Sequence, residues 1–472
     1  MNTTFLQELL NTVAEQGRNL LPRALRGEDR DIFALSRALM SGRGEASGVA
    51  IARAILDVYR GLDPDERRRF FEFLTDGFQP EHEVVAAAAR AYLDAPGTSQ
   101  LSVLQRAVES PRQEYFRRLN LAPGATAQIV SMRKEMLGLV SEVPGLDLVD
   151  ADLRHLLGSW FNRGFLVMRR IDWQTPAAIL EKIIAYEAVH EIKGWDDLRR
   201  RLEPTDRRCF AFFHPSLVDE PLIFVEVALV DEPSASIDEV LGEPQKDGSG
   251  KPATTAVFYS ISNCQEGLRG ISFGNFLIKQ VAEDLVREAP SLATFVTLSP
   301  VPAFARWLDR IMADDDGSYL TMEEREVLAG LAKLGWMSAP MPPESVKGAL
   351  MALAARYLLE AKTGDGRPLD SVARFHLGNG ARLERINWRA DTSSKGLRES
   401  YGLMVNYLYD LREIETNHEA FVNDGRIAAS RAVRSLARSG DRRRKSRMKA
   451  LPPPDGLEAD DADGDRASAE TA

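Results

Sequence analysis

Few residues in this chain could do chemistry. Its 472 residues include six histidines and two cysteines. Cys209 and Cys264 form no CxxC pair, so neither a disulfide framework nor a zinc cage is expected. Each reads as a small core residue. The histidines His82, His155, His190, His214, His376 and His418 show no HxH or HExxH spacing, and no metal site is assigned. His214 precedes a proline at a strand end and reads as a turn residue. Between Phe375 and Leu377, His376 taken alone reads as structural. Imidazole is nevertheless the side chain best matched to proton transfer near neutral pH. Ser299 directly precedes Pro300 and an expected helix, the pattern of an N-cap with proline at N1. Such a hydroxyl can still face a cleft.

The richest stretch runs from Thr255 to Phe304 as strand, glycine-containing loop, helix and strand. Its loop reads Gln265-Glu266-Gly267-Leu268-Arg269-Gly270-Ile271-Ser272-Phe273-Gly274-Asn275. Glycines at 267, 270 and 274 let the backbone approach a ligand and take positive φ. The helix that follows offers unpaired N–H groups and a positive dipole end to an anion. Together these make a seat for a pyrophosphate. The same pattern also describes a tight turn capping a helix. It is neither the P-loop spacing GxxxxGK[ST] nor a GxGxxG following a strand.

The elements that must position these groups fall into two halves. Up to about residue 160 the chain reads as helix after helix. Leu6, Leu9, Leu10 and Val13 fall on one helix face, and Ile51, Ile55, Val58 and Leu62 on another. Asp63-Pro64 reads as an N-cap with proline at N1, opening a helix that buries Phe70, Phe71 and Leu74. Further helices are expected near 80–93, 99–108, 111–120, 124–142 and 151–162. After about residue 165 strands are expected at 208–213, 221–230, 255–262 and 294–298. Between them lie a Pro/Gly-rich loop at 231–253 and helices at 273–288 and 303–312, with 322–335 and 344–362 following. The fold class is α+β. From residue 438 the chain carries Arg442-Arg443-Arg444-Lys445, three prolines and an acidic run, a composition that buries no core.

Composition narrows the function. Hydrophobic residues make up 44% and charged residues 28%, as in a soluble globular protein. The net charge of −10 argues against general nucleic-acid binding. No apolar run reaches the ~18 residues of a membrane span. MNTTFLQELLNTVAEQG lacks the character of a signal peptide and fits a transit peptide poorly, and the last residues are not Ser-Lys-Leu. A cytoplasmic location is expected.

The loop Arg269-Gly270-Ile271-Ser272-Phe273-Gly274 resembles the pyrophosphate loop of GNAT-type acyltransferases, which follows a central strand and precedes a long helix. Its flanks are more specific. HPSLVDEPLIFVEVAL (214–229), YSISNCQEGLRGISFGNFLIK (259–279), TLSPVPAFARWL (297–308) and RFHLGNGARLERINWRADTSSKGLRESYGLMVNYLY (374–409) closely resemble malonyl-CoA decarboxylases. The resemblance covers about residues 160–430. It accounts for the all-helical N-terminal bundle (1–160) and implies a GNAT-like mixed-sheet catalytic domain (161–437), while composition makes residues 438–472 a disordered tail. It carries the family's serine onto Ser299 and its histidine onto His376. Its CoA loop falls on Arg269, Gly270, Ile271, Ser272, Phe273, Gly274 and Asn275. Tyr401, Asn406 and Tyr407, in the C-terminal motif, are candidates to line the pocket or to pack the core.

The implied reaction needs few groups. Loss of CO2 from malonyl-CoA leaves a thioester enolate. The thioester is the electron sink, so no cofactor is called for. A biotin-dependent route is also disfavoured, because Arg447-Met448-Lys449-Ala450 lacks a biotinylation pattern. The protein must orient the carboxylate, stabilise the enolate oxygen and protonate the carbon. His376 is the expected proton donor, and Ser299 the group that orients the carboxylate or exchanges the proton. The implied partners are malonyl-CoA and further copies of the chain, as a dimer or tetramer, with no nucleic acid and no membrane. Two other readings stay open: a GNAT-type acyltransferase, which needs an acceptor groove with a carboxylate base, and an acyl-CoA sensor without catalysis.

Overall fold

The computed structural model describes Thr12 and residues 31–41, 44–242, 252–271, 277–313, 319–320, 322–333 and 344–439. The expected first helix around Leu6–Val13 and the charged run from Arg442 onward lie outside the described residues, and the helix Arg431–Ser439 runs past the expected tail boundary at 438.

Eight helices, from Ile32–Met40 to Leu146–Trp160, follow one another without an intervening strand among the described residues. Local chemistry sets several of their ends. Asp63 accepts the Glu66 N–H at 2.8 Å, Glu66 accepts the Asp63 N–H at 3.0 Å, and Pro64 occupies N1. Phe70, Phe71 and Leu74 of that helix are fully buried, as their spacing predicts. Two expected boundaries move. The helix expected over 124–142 is Ala125–Leu137, and the one expected from 151 begins at Leu146. Gly145 takes φ 80° just before it, a left-handed cap that glycine adopts without strain.

The second half is built on one eight-stranded mixed sheet. Its strands are β1 (Val167–Ile171), β2 (Arg207–Phe213), β3 (Pro221–Val230), β4 (Thr255–Asn263), β5 (Thr294–Thr297), β6 (Ser299–Pro300), β7 (Arg382–Asn387) and β8 (Met404–Leu408). β1 to β4 form an antiparallel run, and β4 pairs parallel with β5. β8 pairs antiparallel with β5 and β6 and also with β7. The strands expected at 208–213, 221–230, 255–262 and 294–298 are present as β2 to β5; β1, β6, β7 and β8 were not expected. The unit β4, glycine loop, helix Leu277–Glu288, β5 has the order that the GNAT resemblance implies. Alternation along the strands divides two apolar layers. Phe210, Phe212, Val225 and Phe258 pack with Ile278, Val281 and Leu285 of that helix. Cys209, Ala211, Phe213 and Phe224 pack with Ile179, Ile183 and Leu198 on the opposite face. Both cysteines are buried, as expected of small core residues.

Candidate active site

The site forms where the parallel pair separates. β4 and β5 are in register from Thr255/Thr294 to Phe258/Thr297, and Leu298 N–H still reaches the Phe258 carbonyl at 2.9 Å. Beyond that point Ser299 pairs with Val405 of β8, while β4 runs on to Asn263 beside β3 alone. Because the two strands are parallel, the segments after β4 and β5 emerge at the same edge of the sheet. The carboxyl ends of such strands are where open sheets hold ligands.

Ser299 is 6% exposed and His376 3% exposed, and Ser299 Oγ lies 2.9 Å from His376 Nε2. The histidine is carried by the helix Ser371–Gly378, whose N-cap Asp370 accepts the Ala373 N–H at 2.8 Å. Tyr407 stacks on the imidazole with centroids 4.5 Å apart, and the Tyr409 hydroxyl lies 2.8 Å from Nδ1. The Ser299 hydroxyl donates to Thr297 Oγ1 at 2.8 Å, which also accepts the Tyr407 N–H at 3.2 Å. With the Ser299 proton directed at Thr297, Ser299 accepts from His376 Nε2–H, and Nδ1 accepts from Tyr409 O–H. Burial lowers the imidazole to about 3, so the ring is neutral at physiological pH. The result is an uncharged, ordered chain of hydrogen bonds running from Tyr409 through His376 and Ser299 to the acceptor Thr297.

Ser299 is not an N-cap. It sits in β6, and Pro300, Val301, Pro302 and Ala303 separate it from the helix Phe304–Ala313. Its hydroxyl is therefore not committed to a helix end. Of the three flanking candidates, Tyr407 touches the histidine. Asn406 faces the other way and fixes the strand beneath, donating to the Thr297 carbonyl at 2.8 Å. Tyr401 packs against Phe304 at 6.2 Å between centroids. His214 does the turn packing expected of it, accepting the Ser216 N–H at 3.2 Å beside Phe161. Sequence reasoning missed Thr297 and Tyr409. Each lies two residues from a named candidate, Ser299 and Tyr407, so strand alternation could have found both.

The glycine loop is described as far as Ile271; Ser272, Phe273, Gly274 and Asn275 lie outside the described residues. Gly270 has φ 76°, the positive value expected of it. Ile271 is buried at 8% exposure, so its side chain belongs to the core. The Arg269 carbonyl is bonded to Arg133. Gly267 serves a different purpose from the one expected. A Cβ there would lie 1.9 Å from the Val130 carbonyl oxygen, so this glycine admits the helix Ala125–Leu137 and not a ligand. Among the described residues no three His, Cys, Asp or Glu side chains are placed to hold a metal ion.

The family described as malonyl-CoA decarboxylase C-terminal domain matches residues 164–447, and its N-terminal counterpart matches 78–161. The chain belongs to the malonyl-CoA decarboxylase family. It is 53% identical to the malonyl-CoA decarboxylase of Rhodopseudomonas palustris, whose crystal structure it matches with a TM-score of 0.82 over 86% of this chain and 98% of that one. For the malonyl-CoA decarboxylase structure from Agrobacterium vitis the values are 53%, 0.80, 86% and 99%. The mitochondrial malonyl-CoA decarboxylase of Rattus norvegicus is 35% identical over 411 residues, 80% of this chain and 83% of that relative. Family membership extends over both halves of the fold, the helical region and the sheet.

Proposed function

We propose that this family member converts malonyl-CoA to acetyl-CoA and CO2 at the Ser299–His376 pair, using its own side chains. The observation that carries the reading is the buried 2.9 Å contact between Ser299 Oγ and His376 Nε2 at the opening of β4 and β5. Breaking the bond between the carboxylate and the α-carbon releases CO2, and the electron pair moves into the thioester as an enolate. A neutral imidazole supplies an N–H toward this site without placing a second full charge in an apolar pocket. His376 delivers a proton to the enolate carbon. Ser299 orients the carboxylate and passes a replacement proton to the ring. One proton is consumed per turnover, and it comes ultimately from solvent.

CoA is held by residues 269–275, with the Gly270 amide toward the pyrophosphate and Arg269 adding charge. The positive φ of Gly270 supports this reading. The chain divides into a helical domain (1–160), a catalytic domain from 161 that includes the helix Arg431–Ser439, and a tail after it, and the family match changing between residues 161 and 164 supports the first boundary. A dimer or tetramer is proposed. The helices His82–Asp94 and Thr98–Val108 bury only Ala88 and leave Val84, Leu93, Leu101, Val103 and Val108 exposed, which supports association through them. No helix among the described residues is long and apolar enough to cross a membrane. A cytoplasmic location is proposed.

The test is incubation of the purified chain with malonyl-CoA, in buffer containing EDTA and avidin, with acetyl-CoA and CO2 measured together. Equimolar products are expected. Loss of activity to either reagent would contradict the use of the protein's own groups alone, and no turnover in untreated buffer would contradict the reaction.

A further inference from the structure

We infer that Arg133, on a helix of the N-terminal region, is a positioning residue for the CoA pyrophosphate, so that the helical region forms part of the substrate site. The inference rests on the proposal that CoA is held at 269–275.

Arg133 is among the largest fully buried side chains, at 1% exposure, although it carries a charge. Such burial is costly unless the guanidinium is fully engaged. Its Nε donates to Asp150 Oδ1 at 2.8 Å, and its Nη1 donates to two carbonyls of the glycine loop, Gly267 and Arg269, each at 2.8 Å. The guanidinium thus bridges from the helix Leu146–Trp160 to the middle and the C-cap of the short 3-10 turn Glu266–Leu268. Two further contacts join the same surfaces. Gly267 lies against Val130, where any Cβ would meet the carbonyl oxygen at 1.9 Å, and Lys134 pairs with Glu266 at 2.9 Å.

The consequence follows from peptide planarity. In a trans peptide the carbonyl and the next N–H point in opposite directions. Arg133 draws the Arg269 carbonyl toward the helical region, so the Gly270 N–H points away from it. That N–H makes no hydrogen bond among the described residues, whereas the amides of Leu268, Arg269 and Ile271 are taken by the carbonyls of Gln265, Glu266 and Leu268. Gly270, at φ 76°, lets the chain reverse there. The amides of Glu266 and Gly267 are likewise without a bond among the described residues, but the Gly270 amide is the one whose direction the Arg133–Arg269 contact sets, and it is left for an anion.

The experiment compares two substrates that share the malonyl thioester and differ in the pyrophosphate: malonyl-CoA and S-malonyl-N-acetylcysteamine. In Arg133→Met the ratio of kcat/KM for malonyl-CoA to that for the short thioester should fall about tenfold or more, through KM for malonyl-CoA. Asp150→Asn, which loosens the guanidinium without removing it, should lower the ratio in the same direction by a smaller factor. It decides the matter if Arg133→Met does not fold. An equal loss on both substrates, or no change in the ratio, overturns the proposal. Gly270→Val is the control for the underlying reading. If it lowers malonyl-CoA affinity while the Arg133 and Asp150 variants leave the ratio intact, the CoA seat stands and the role of Arg133 falls. If a folded Gly270→Val protein binds malonyl-CoA normally, the CoA seat itself is misplaced.

Discussion

Two buried polar networks lie on opposite faces of the same sheet. Tyr409, His376, Ser299 and Thr297 form a neutral chain in which both ring nitrogens and the serine hydroxyl have partners. On the other face Glu226, fully buried, pairs with Arg201 at 3.0 Å. Glu226 Oε1, Arg201 Nε and the Tyr259 hydroxyl there make no hydrogen bond among the described residues. Burial pushes the Glu226 carboxyl up to about 8 against the pull of Arg201, much as burial pulls His376 down to about 3. A displaced pKa therefore does not separate a reaction site from a structural one. Position does. The neutral network sits at the carboxyl end of β5 where β4 departs, while the Glu226–Arg201 contact is roofed by the helix Trp195–Leu202, which supplies Arg201.

The comparison can be broken at either network. His376→Asn should lower turnover by about 10²–10⁴, the worth of a positioned general acid, with folding and acyl-CoA binding retained. Steady-state kinetics and a binding titration read both; near-normal turnover in a folded variant would remove His376 from the reaction. Glu226→Ala should do the opposite. It leaves a guanidinium buried without its main partner, at a cost of about 3–5 kcal/mol in stability, while turnover per folded molecule stays near that of the parent. A large loss of turnover without a drop in melting temperature would make the Glu226 face part of the site. Tyr409→Phe removes the donor to Nδ1 and leaves that nitrogen unsatisfied, a penalty of about 1–3 kcal/mol. It should reduce kcat about tenfold with little change in KM, and an unchanged kcat would show that the ring is held without the tyrosine.

The smallest effect is on pH dependence. His376 is lowered from 6.5 to about 3 on folding, so the unfolded chain takes up its proton first as pH falls. Stability tied to the neutral ring is present above 6.5 and is lost progressively toward 3. His190, lowered to about 4 by burial, has the same sign. Glu226 and Asp370, raised by burial to about 8 and about 6, have the opposite sign: their stability is present below the ordinary carboxylate range and lost as pH rises through those values. The gap in melting temperature between the parent and His376→Asn should therefore narrow between pH 7 and pH 4. A constant gap would mean that the ring titrates as in water.

The same contrast shows what the sequence could reveal. β2 to β5 are mostly apolar runs buried on both faces, and they were legible as strands. β7 was not. Its register shifts between Leu383 and Arg385, so the buried Leu383 and Ile386 fall three apart and match no strand period. β1 is an edge strand with Arg169 and Arg170 exposed, which hides its pattern. Ser299 and His376 came from the family resemblance. From residue types alone one was a helix cap and the other a structural histidine, because the 77-residue separation that their contact closes leaves no local trace. Gly267 was legible as a special glycine, but its neighbour, Val130, is far away in sequence.

The most direct test of the central claim uses four proteins: the parent, Ser299→Ala, His376→Asn and the double variant, with kcat for malonyl-CoA and melting temperature measured on each. If the pair acts as one unit, the double variant turns over little more slowly than the worse single variant. If the two residues are independent structural elements, their losses add in melting temperature, and kcat per folded molecule stays close to that of the parent in all four.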